Sequence, residues 1–270
     1  MKIYAGVIAY NEEWIIEASL KSLYDYVDEI VVIDGSFWRA STDKTAEIAR
    51  SVGPKVKVVS GVWRAYQKDG SIGTDHKFQQ RMEYLNRMPK DLEDWCILHD
   101  ADEVWASEDI KRLVNHLRCA DRRTLLFSYQ WIHLFGDPWH RIRGTNWDKP
   151  RSVGAFRLMP GVKCLNHHMV GIGEPSPINF EKLGFPGRVI LDDVMFHHYG
   201  QAASKEKMEF KSYYYFFRDS KFRQGYKSWE EYREKKFLLD WEVRMAQSNV
   251  EPYNGPHPEA IQPLIGTFWK

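Results

Sequence analysis

Apolar residues run without a break from Ile3 to Ala9, the pattern of a strand buried on both faces over residues 2–9. From Glu13 the apolar spacing becomes helical, with Ile16, Leu20, Leu23 and Val27 on one face. Glu29 to Ile33 is a β-branched run typical of a buried parallel strand, and Asp34-Gly35-Ser36 interrupts it. A helix is expected from about Thr42-Asp43, with Ala46, Ile48 and Ala49 inside, followed by an alternating strand from Lys55 to Ser60. Another helix over about 75–88 closes before Pro89. Trp95 to Leu98 then read as a buried strand, ahead of a helix that starts near Ser107. This alternation predicts a parallel sheet with right-handed crossovers, an α/β domain of the nucleotide-binding type.

Beyond about residue 123 the pattern changes. Leu125 to Ile132 and Ala155 to Met159 are expected strands, separated by a section rich in Gly, Pro and Trp. Residues 160–187 carry Gly and Pro frequently and are expected to be loops, the usual material for the walls of a binding site. Val189 to Phe196 reads as a further strand and runs into His197-His198-Tyr199-Gly200. Helices are expected over about 203–224 and 229–247, and the tail from Glu251, with four prolines, should be extended and held by its apolar end, Leu264 to Trp269. The expected organisation is an α/β domain over 1–200 with a helical C-terminal extension, 201–270, packed on it.

With 270 residues the chain can bury a sizeable core without staples. Its formal charge of +1 provides no global field to attract nucleic acid or anionic lipid. Cys96, Cys119 and Cys164 are widely spaced and form neither a disulfide framework nor a zinc pattern, which favours a reducing compartment. The opening apolar run is too short for a signal sequence, and no stretch approaches the roughly 20 apolar residues of a membrane span. These features lead us to expect a cytoplasmic protein with no transmembrane span and no nucleic-acid partner, a peripheral place at a membrane surface being left open. Most of the 11 tryptophans are expected in the core, although sugars also stack on such rings.

The chemistry concentrates at one turn. Asp100, Asp102 and Glu103 crowd three carboxylates into four positions at the C-terminal end of the strand that begins at Trp95. Like charges that close repel unless something positive sits among them, and hard oxygen ligands on a short turn suit Mg²⁺ or Mn²⁺. In open α/β sheets, ligands bind beyond the carboxyl ends of the strands, where this turn falls. The simpler alternative is an acidic cap on the helix near Ser107.

Several motifs together resemble family 2 glycosyltransferases with the GT-A fold. They are Ala9-Tyr10-Asn11-Glu12-Glu13 after the first strand, and Asp28 through Ser36 followed by Ser41-Thr42-Asp43-Lys44-Thr45 opening a helix. Further along come His99-Asp100-Ala101-Asp102-Glu103 as the D-x-D motif, Trp147 through Pro150-Arg151 with Phe156-Arg157-Leu158, and His198-Tyr199-Gly200. The resemblance covers roughly residues 3–200 and implies a donor half of about 1–120 and an acceptor half of about 121–200. It implies transfer of a sugar from a nucleoside-diphosphate sugar to an acceptor hydroxyl with Mn²⁺ or Mg²⁺, inversion being the expected course and retention left open. The acceptor is a glycan, a lipid-linked group or a small molecule. The chain departs from the pattern at Phe37-Trp38-Arg39-Ala40-Ser41, which lengthens the loop over the expected nucleotide pocket.

A metal that bridges diphosphate oxygens stabilises the charge of the leaving group. Asp102 is the first expected ligand, Asp100 contacts the metal or the ribose, and His198 is a late ligand. Asp34, at the tip of the second strand, is placed to accept hydrogen bonds from a base or ribose, the alternative being a turn-forming Asp before Gly. Tyr10, Asn11 and Glu12 are placed to shape the same pocket, and Arg81 to reach the diphosphate. For an inverting reaction Glu174 is the expected general base, with Asp192, Asp193 and His168 as competitors. Two other classes stay open. A sugar-nucleotide nucleotidyltransferase would need a Gly-rich loop where Tyr10-Asn11-Glu12-Glu13 stands. A non-catalytic nucleotide- or carbohydrate-binding protein would keep the fold without turnover. A D-x-D phosphatase is disfavoured, since its nucleophilic acid should follow the first strand.

Overall fold

The first apolar run forms strand β1 (Ile3–Ala9), buried along its whole length because it lies between two parallel neighbours, β2 (Glu29–Ser36) and β4 (Trp95–Asp100). The computed structural model describes residues 1–64, 76–144, 147–165, 170–173, 178–218, 225–237, 243, 246 and 249–269. Strand β3 (Val56–Val62) pairs parallel to β2 and completes the expected nucleotide-binding half. Helix α1 (Ile16–Tyr24) turns Ile16, Leu20 and Leu23 into the core, α2 (Thr45–Ser51) buries Ala49, and α3 (His76–Arg87) covers the opposite face with Tyr84 and Leu85.

The acidic turn follows β4. A two-residue strand, β5 (Glu103–Val104), leads into α4 (Ser107–Arg118), whose Ile110, Leu113 and Leu117 pack on the same face as α1. The first turn of α4 has its own acids, Glu108 and Asp109, so Asp100 and Asp102 do not cap it.

The second half makes the sheet mixed. Strands β6 (Leu126–Phe135), β7 (Asp137–Ile142) and β8 (Arg151–Arg157) pair antiparallel, and β8 joins β4 antiparallel. The section rich in Gly, Pro and Trp therefore holds β7, a strand whose irregular pattern hides its half-buried face. Residues 160–187 are likewise not all loop. Strands β9 (Val162–Cys164), β10 (Val170–Ile172) and β11 (Ile178–Asn179) form a separate small sheet, each too short for its period to be read. The long strand β12 (Arg188–Gln201) runs parallel to β6 and antiparallel to β5, which sets His198 opposite Glu103.

After β12 comes α5 (Lys205–Arg218), then a short helix, Trp229–Tyr232, extended by one wider turn to Phe237. The tail is not simply an appendage. Strand β13 (Val250–Pro252) pairs with β7, and Tyr253, Ile261 and Trp269 share a buried cluster with Ile15, Ala18, Leu134 and Tyr199. Among the described residues no helix is long and apolar enough to cross a membrane.

Candidate active site

The parallel strands β1, β2 and β4 end together, and helix α5 lies across their carboxyl ends. Between them is a cavity of about 390 Å³ lined by Ile8, Tyr10 and Glu12 from the β1 end, Gly35 from β2, Asp100 and Asp102 after β4, and His198 and Gly200 from β12. Helix α5 closes it with Phe210, Lys211 and Tyr214.

Backbone pairing positions the two central groups. The Tyr199 N–H donates to the Asp102 carbonyl at 2.8 Å, which ties the acidic turn to β12. Asp102 Oδ1 then lies 3.5 Å from His198 Nε2. A side chain at Gly200 would forbid this approach, since a Cβ there would stand 2.6 Å from Asp102 Oδ2 and 2.7 Å from His198 Nε2. The glycine of His198-Tyr199-Gly200 is thus a matter of space. On its other side, His198 Nδ1 is 3.0 Å from His133 Nδ1, and His133 is flanked by the rings of Trp131 and Trp147. His197 points away from the cavity and hydrogen-bonds to the Tyr253 hydroxyl at 2.8 Å, as the strand period expects.

The acidic turn carries its own counter-charges. Arg81 is buried, not solvated, and donates to Asp100 Oδ1 at 2.9 Å. Arg151 Nη1 is 2.5 and 2.6 Å from the two Glu103 oxygens, and the Asp100 N–H donates to Glu103 Oε2 at 3.0 Å. From α5, Lys211 Nζ is 2.8 Å from Asp102 Oδ2 and 3.3 Å from Glu12 Oε1, and Lys207 pairs with Glu12 Oε2 at 3.4 Å. Lys77 stands 4.0 Å from Asp100 Oδ2. Crowded carboxylates therefore do not by themselves demand a metal here, because arginines and lysines of the chain already balance them. Burial pushes the Asp100 and Asp102 carboxyls up, but Arg81 beside the first and Lys211 beside the second outweigh it and hold both below the ordinary range.

Asp34 is fully buried at the tip of β2, and its Oδ1 has no hydrogen-bond partner among the described residues. Burial raises its pKa more than the neighbouring Ser41 and Ser60 lower it. Contrary to expectation, Asp34-Gly35-Ser36 does not interrupt β2: Gly35, at φ +136°, and Ser36 stay paired with Gly61 and Val62 of β3. The Tyr10 hydroxyl is also buried and unpartnered among the described residues, with its ring against Phe210 and Tyr214. Asn11 is structural in this arrangement. It adopts φ +52°, its N–H donates to Ser41 Oγ, and its Oδ1 accepts from the Thr42 N–H, both at 2.8 Å. The lengthened loop packs Phe37 and Trp38 on Tyr214 of α5.

Glu174 and His168 lie outside the described residues. Asp193 faces away from the cavity and pairs with His116 of α4 at 3.0 Å, while its neighbour Asp192 is exposed.

Residues 4–72 match the profile described as Glycosyl transferase family 2. Over this segment the chain is similar to glycosyltransferase family 2. An uncharacterized glycosyltransferase of Rickettsia bellii is 30% identical over 129 residues, covering 48% of this chain and 37% of that protein. Another, of Rickettsia felis, is 27% identical over 220 residues, covering 79% of this chain and 67% of that protein. Among solved structures, glucosyl-3-phosphoglycerate synthase from Mycobacterium tuberculosis is similar over 48% of this chain and 44% of its own, with 21% identity and a TM-score of 0.36.

Lys207 and Lys211 escape a motif reading because they lie beyond the matched motifs. Their four-residue spacing among aromatics on one helix is the signal that could have found them.

The buried imidazoles give the fold a measurable pH dependence. Burial pulls the pKa values of His99, His133 and His197 down to about 3, 2 and 3. Unfolded imidazoles titrate near ~6.5, so stability is complete above that value and falls as pH drops, the unfolded chain taking up protons that the folded one refuses. Glu103 acts in the opposite sense, because burial pushes its carboxyl up to about 7. These three imidazoles, with His198 and His257 shifted the same way by burial, outweigh one carboxyl, and the protein should lose about 2 kcal/mol or more between pH 7.5 and 5.5. Urea unfolding at the two pH values measures this, and a constant or rising stability would contradict it.

Proposed function

We propose that this protein moves a sugar from a nucleoside-diphosphate sugar to an acceptor hydroxyl, with inversion. The observation that carries the proposal is the cavity beyond β1, β2 and β4, where Tyr10, whose hydroxyl is unpartnered among the described residues, meets a strip of paired cations and carboxylates, with Asp34 buried behind the lining residue Gly35. Asp34 Oδ1 and the Tyr10 hydroxyl are oriented groups that a base and ribose would satisfy, and leaving either buried and unmade is costly. Lys77 and Lys211 line the same cavity and provide the positive charge that a diphosphate requires. Tyr10 and Phe210 offer flat apolar surface beside it.

The donor set fits a hard divalent ion. Asp102 Oδ1 and His198 Nε2 lie 3.5 Å apart, close enough that both could reach one such ion. His133 supplies the outer support that ligating imidazoles use: with His198 Nδ1–H donating to His133 Nδ1, the Nε2 lone pair faces Asp102. Mg²⁺ and Mn²⁺ keep water and phosphate oxygens in their shells, so two protein ligands would serve such an ion. Asp102 and His198 would hold the ion, and Asp100, fixed by Arg81, would stand beside the ribose. The bound ion would supply Lewis-acid stabilisation of the departing diphosphate. Glu174 remains our proposed base for an inverting attack.

Titrating UDP, GDP and dTDP into the protein with and without Mn²⁺, followed by thermal shift and then by a hydrolysis assay of the matching sugar nucleotides, tests the reading. We expect one diphosphate to stabilise the fold and Mn²⁺ to increase its effect. No stabilisation by any of them would refute a donor site here. The nucleotidyltransferase alternative is disfavoured by the β1 turn, where Glu12 and a cross-linked Asn11 occupy the place of a phosphate-cradling glycine loop.

A further inference from the structure

The ammonium of Lys211 sits where a small hard cation would sit. Its Nζ faces Asp102 Oδ2 at 2.8 Å, the Gly200 carbonyl at 3.2 Å and Glu12 Oε1 at 3.3 Å, three oxygens for three N–H bonds. The side chain is only 14% exposed, and two of its three oxygens belong to carboxylates. The other oxygen of the same Asp102 carboxylate faces His198 Nε2. A divalent ion held by Asp102 Oδ1 and His198 would thus share one carboxylate with an ammonium, a like-charge approach that is costly in a half-buried pocket.

Helix α5 is not free to withdraw the lysine as a whole. Its Phe210 and Tyr214 pack on Tyr10, Tyr214 also packs on Phe37 and Trp38, and Phe216 packs on Tyr232. The four-carbon stem of a lysine is flexible, and its head can swing within the cavity while the helix stays in place. Lys207, one turn earlier, holds the second Glu12 oxygen and the Asn11 carbonyl, so Glu12 keeps a partner when Lys211 leaves.

We infer that Lys211 is the resident cation of the Asp102 pocket, that a divalent ion binds there only by displacing its ammonium, and that the donor diphosphate is the group onto which the ammonium moves. The inference rests on the proposed donor reading for that last step alone. Ion exchange of this kind keeps the carboxylate neutralised before substrate arrives. It also ties loading of the metal to arrival of a diphosphate.

Mn²⁺ binding without nucleotide, followed by electron paramagnetic resonance of the free ion, provides the test. K211M and K211Q should each bind Mn²⁺ roughly tenfold or more tightly than the wild type, since a competing unit charge is removed at short range. K211R keeps the charge and should bind as weakly as the wild type. Adding D102N to K211M should abolish the gain. Folding of each variant is checked by circular dichroism, and a measurement on the wild type needs no variant: saturating Mg²⁺ should shift the Lys211 side-chain nitrogen resonance. Equal Mn²⁺ affinity in wild type and both neutral variants would overturn the inference, as would a gain that survives D102N or a Lys211 resonance unmoved at saturating Mg²⁺. If the neutral variants gain affinity while no nucleoside diphosphate binds the wild type, the exchange stands and the donor reading fails.

Discussion

D102N should lower sugar transfer by roughly 10²–10³-fold, the cost of losing one group that stabilises charge developing in the transition state. It should also remove the Mn²⁺-dependent part of nucleoside-diphosphate binding. Asparagine is preferred to alanine for a reason the sequence does not reveal. Read as a surface cluster, the acids would lose little stability on removal, because repulsion would be relieved. In the folded chain Asp102 neutralises Lys211 and accepts its hydrogen bond at 2.8 Å, so alanine would strip a buried ammonium of its nearest partner. Asn keeps the shape and one acceptor oxygen while deleting the charge. Calorimetric titration of a nucleoside diphosphate with and without Mn²⁺, beside a transfer assay, measures both effects. Near-normal Mn²⁺ dependence in D102N would remove Asp102 from the ligand set.

The first half of the chain was legible because its signals are local. Each buried parallel strand is a run of apolar residues, each helix has one apolar face, and Asp100 and Asp102 fall at a strand end where the crossover rule puts a ligand site, with Asp34 near the end of the neighbouring strand. His198 could be placed near Asp102 since it ends a long late strand, although nothing local says that β12 pairs with the two-residue β5. Pairings of that length leave no period to read. The same is true of β9, β10 and β11, hidden in a stretch rich in Gly and Pro. The counter-charges were illegible for a different reason. Arg81 resembles any polar residue on a helix until its helix is known to pack over β1 and β2 beside the end of β4, and Lys211 lies 109 positions from the carboxylate it neutralises. Charge balance across such separations is set by tertiary structure, and a motif does not contain it.

R151M should destabilise the fold by about 3–5 kcal/mol near pH 8, the range for breaking one side of a buried ion pair. Arg151 Nη1 contacts both oxygens of Glu103, a residue only 2% exposed, and its guanidinium also stands over the Phe196 ring. Without it the Glu103 carboxylate keeps the Asp100 N–H and a place near the His99 ring, 3.3 Å away, but among the described residues has no other ion pair with a permanent positive charge. The pH dependence separates this cause from lost packing. Burial already pushes the Glu103 carboxyl up to about 7, and removing Arg151 takes away the main opposing pull. A carboxyl with a raised folded pKa is most stabilising while protonated and loses that contribution as pH rises through the folded value. The penalty of R151M should therefore shrink between pH 8 and 6, whereas a packing defect would be unchanged. Adding E103Q to R151M removes the stranded charge altogether and should recover at least half of the loss, a coupling read from urea unfolding of the two single variants and the double. If the two substitutions were simply additive and their cost insensitive to pH, the Arg151–Glu103 pair would not be what holds the acidic turn in place behind Asp100 and Asp102.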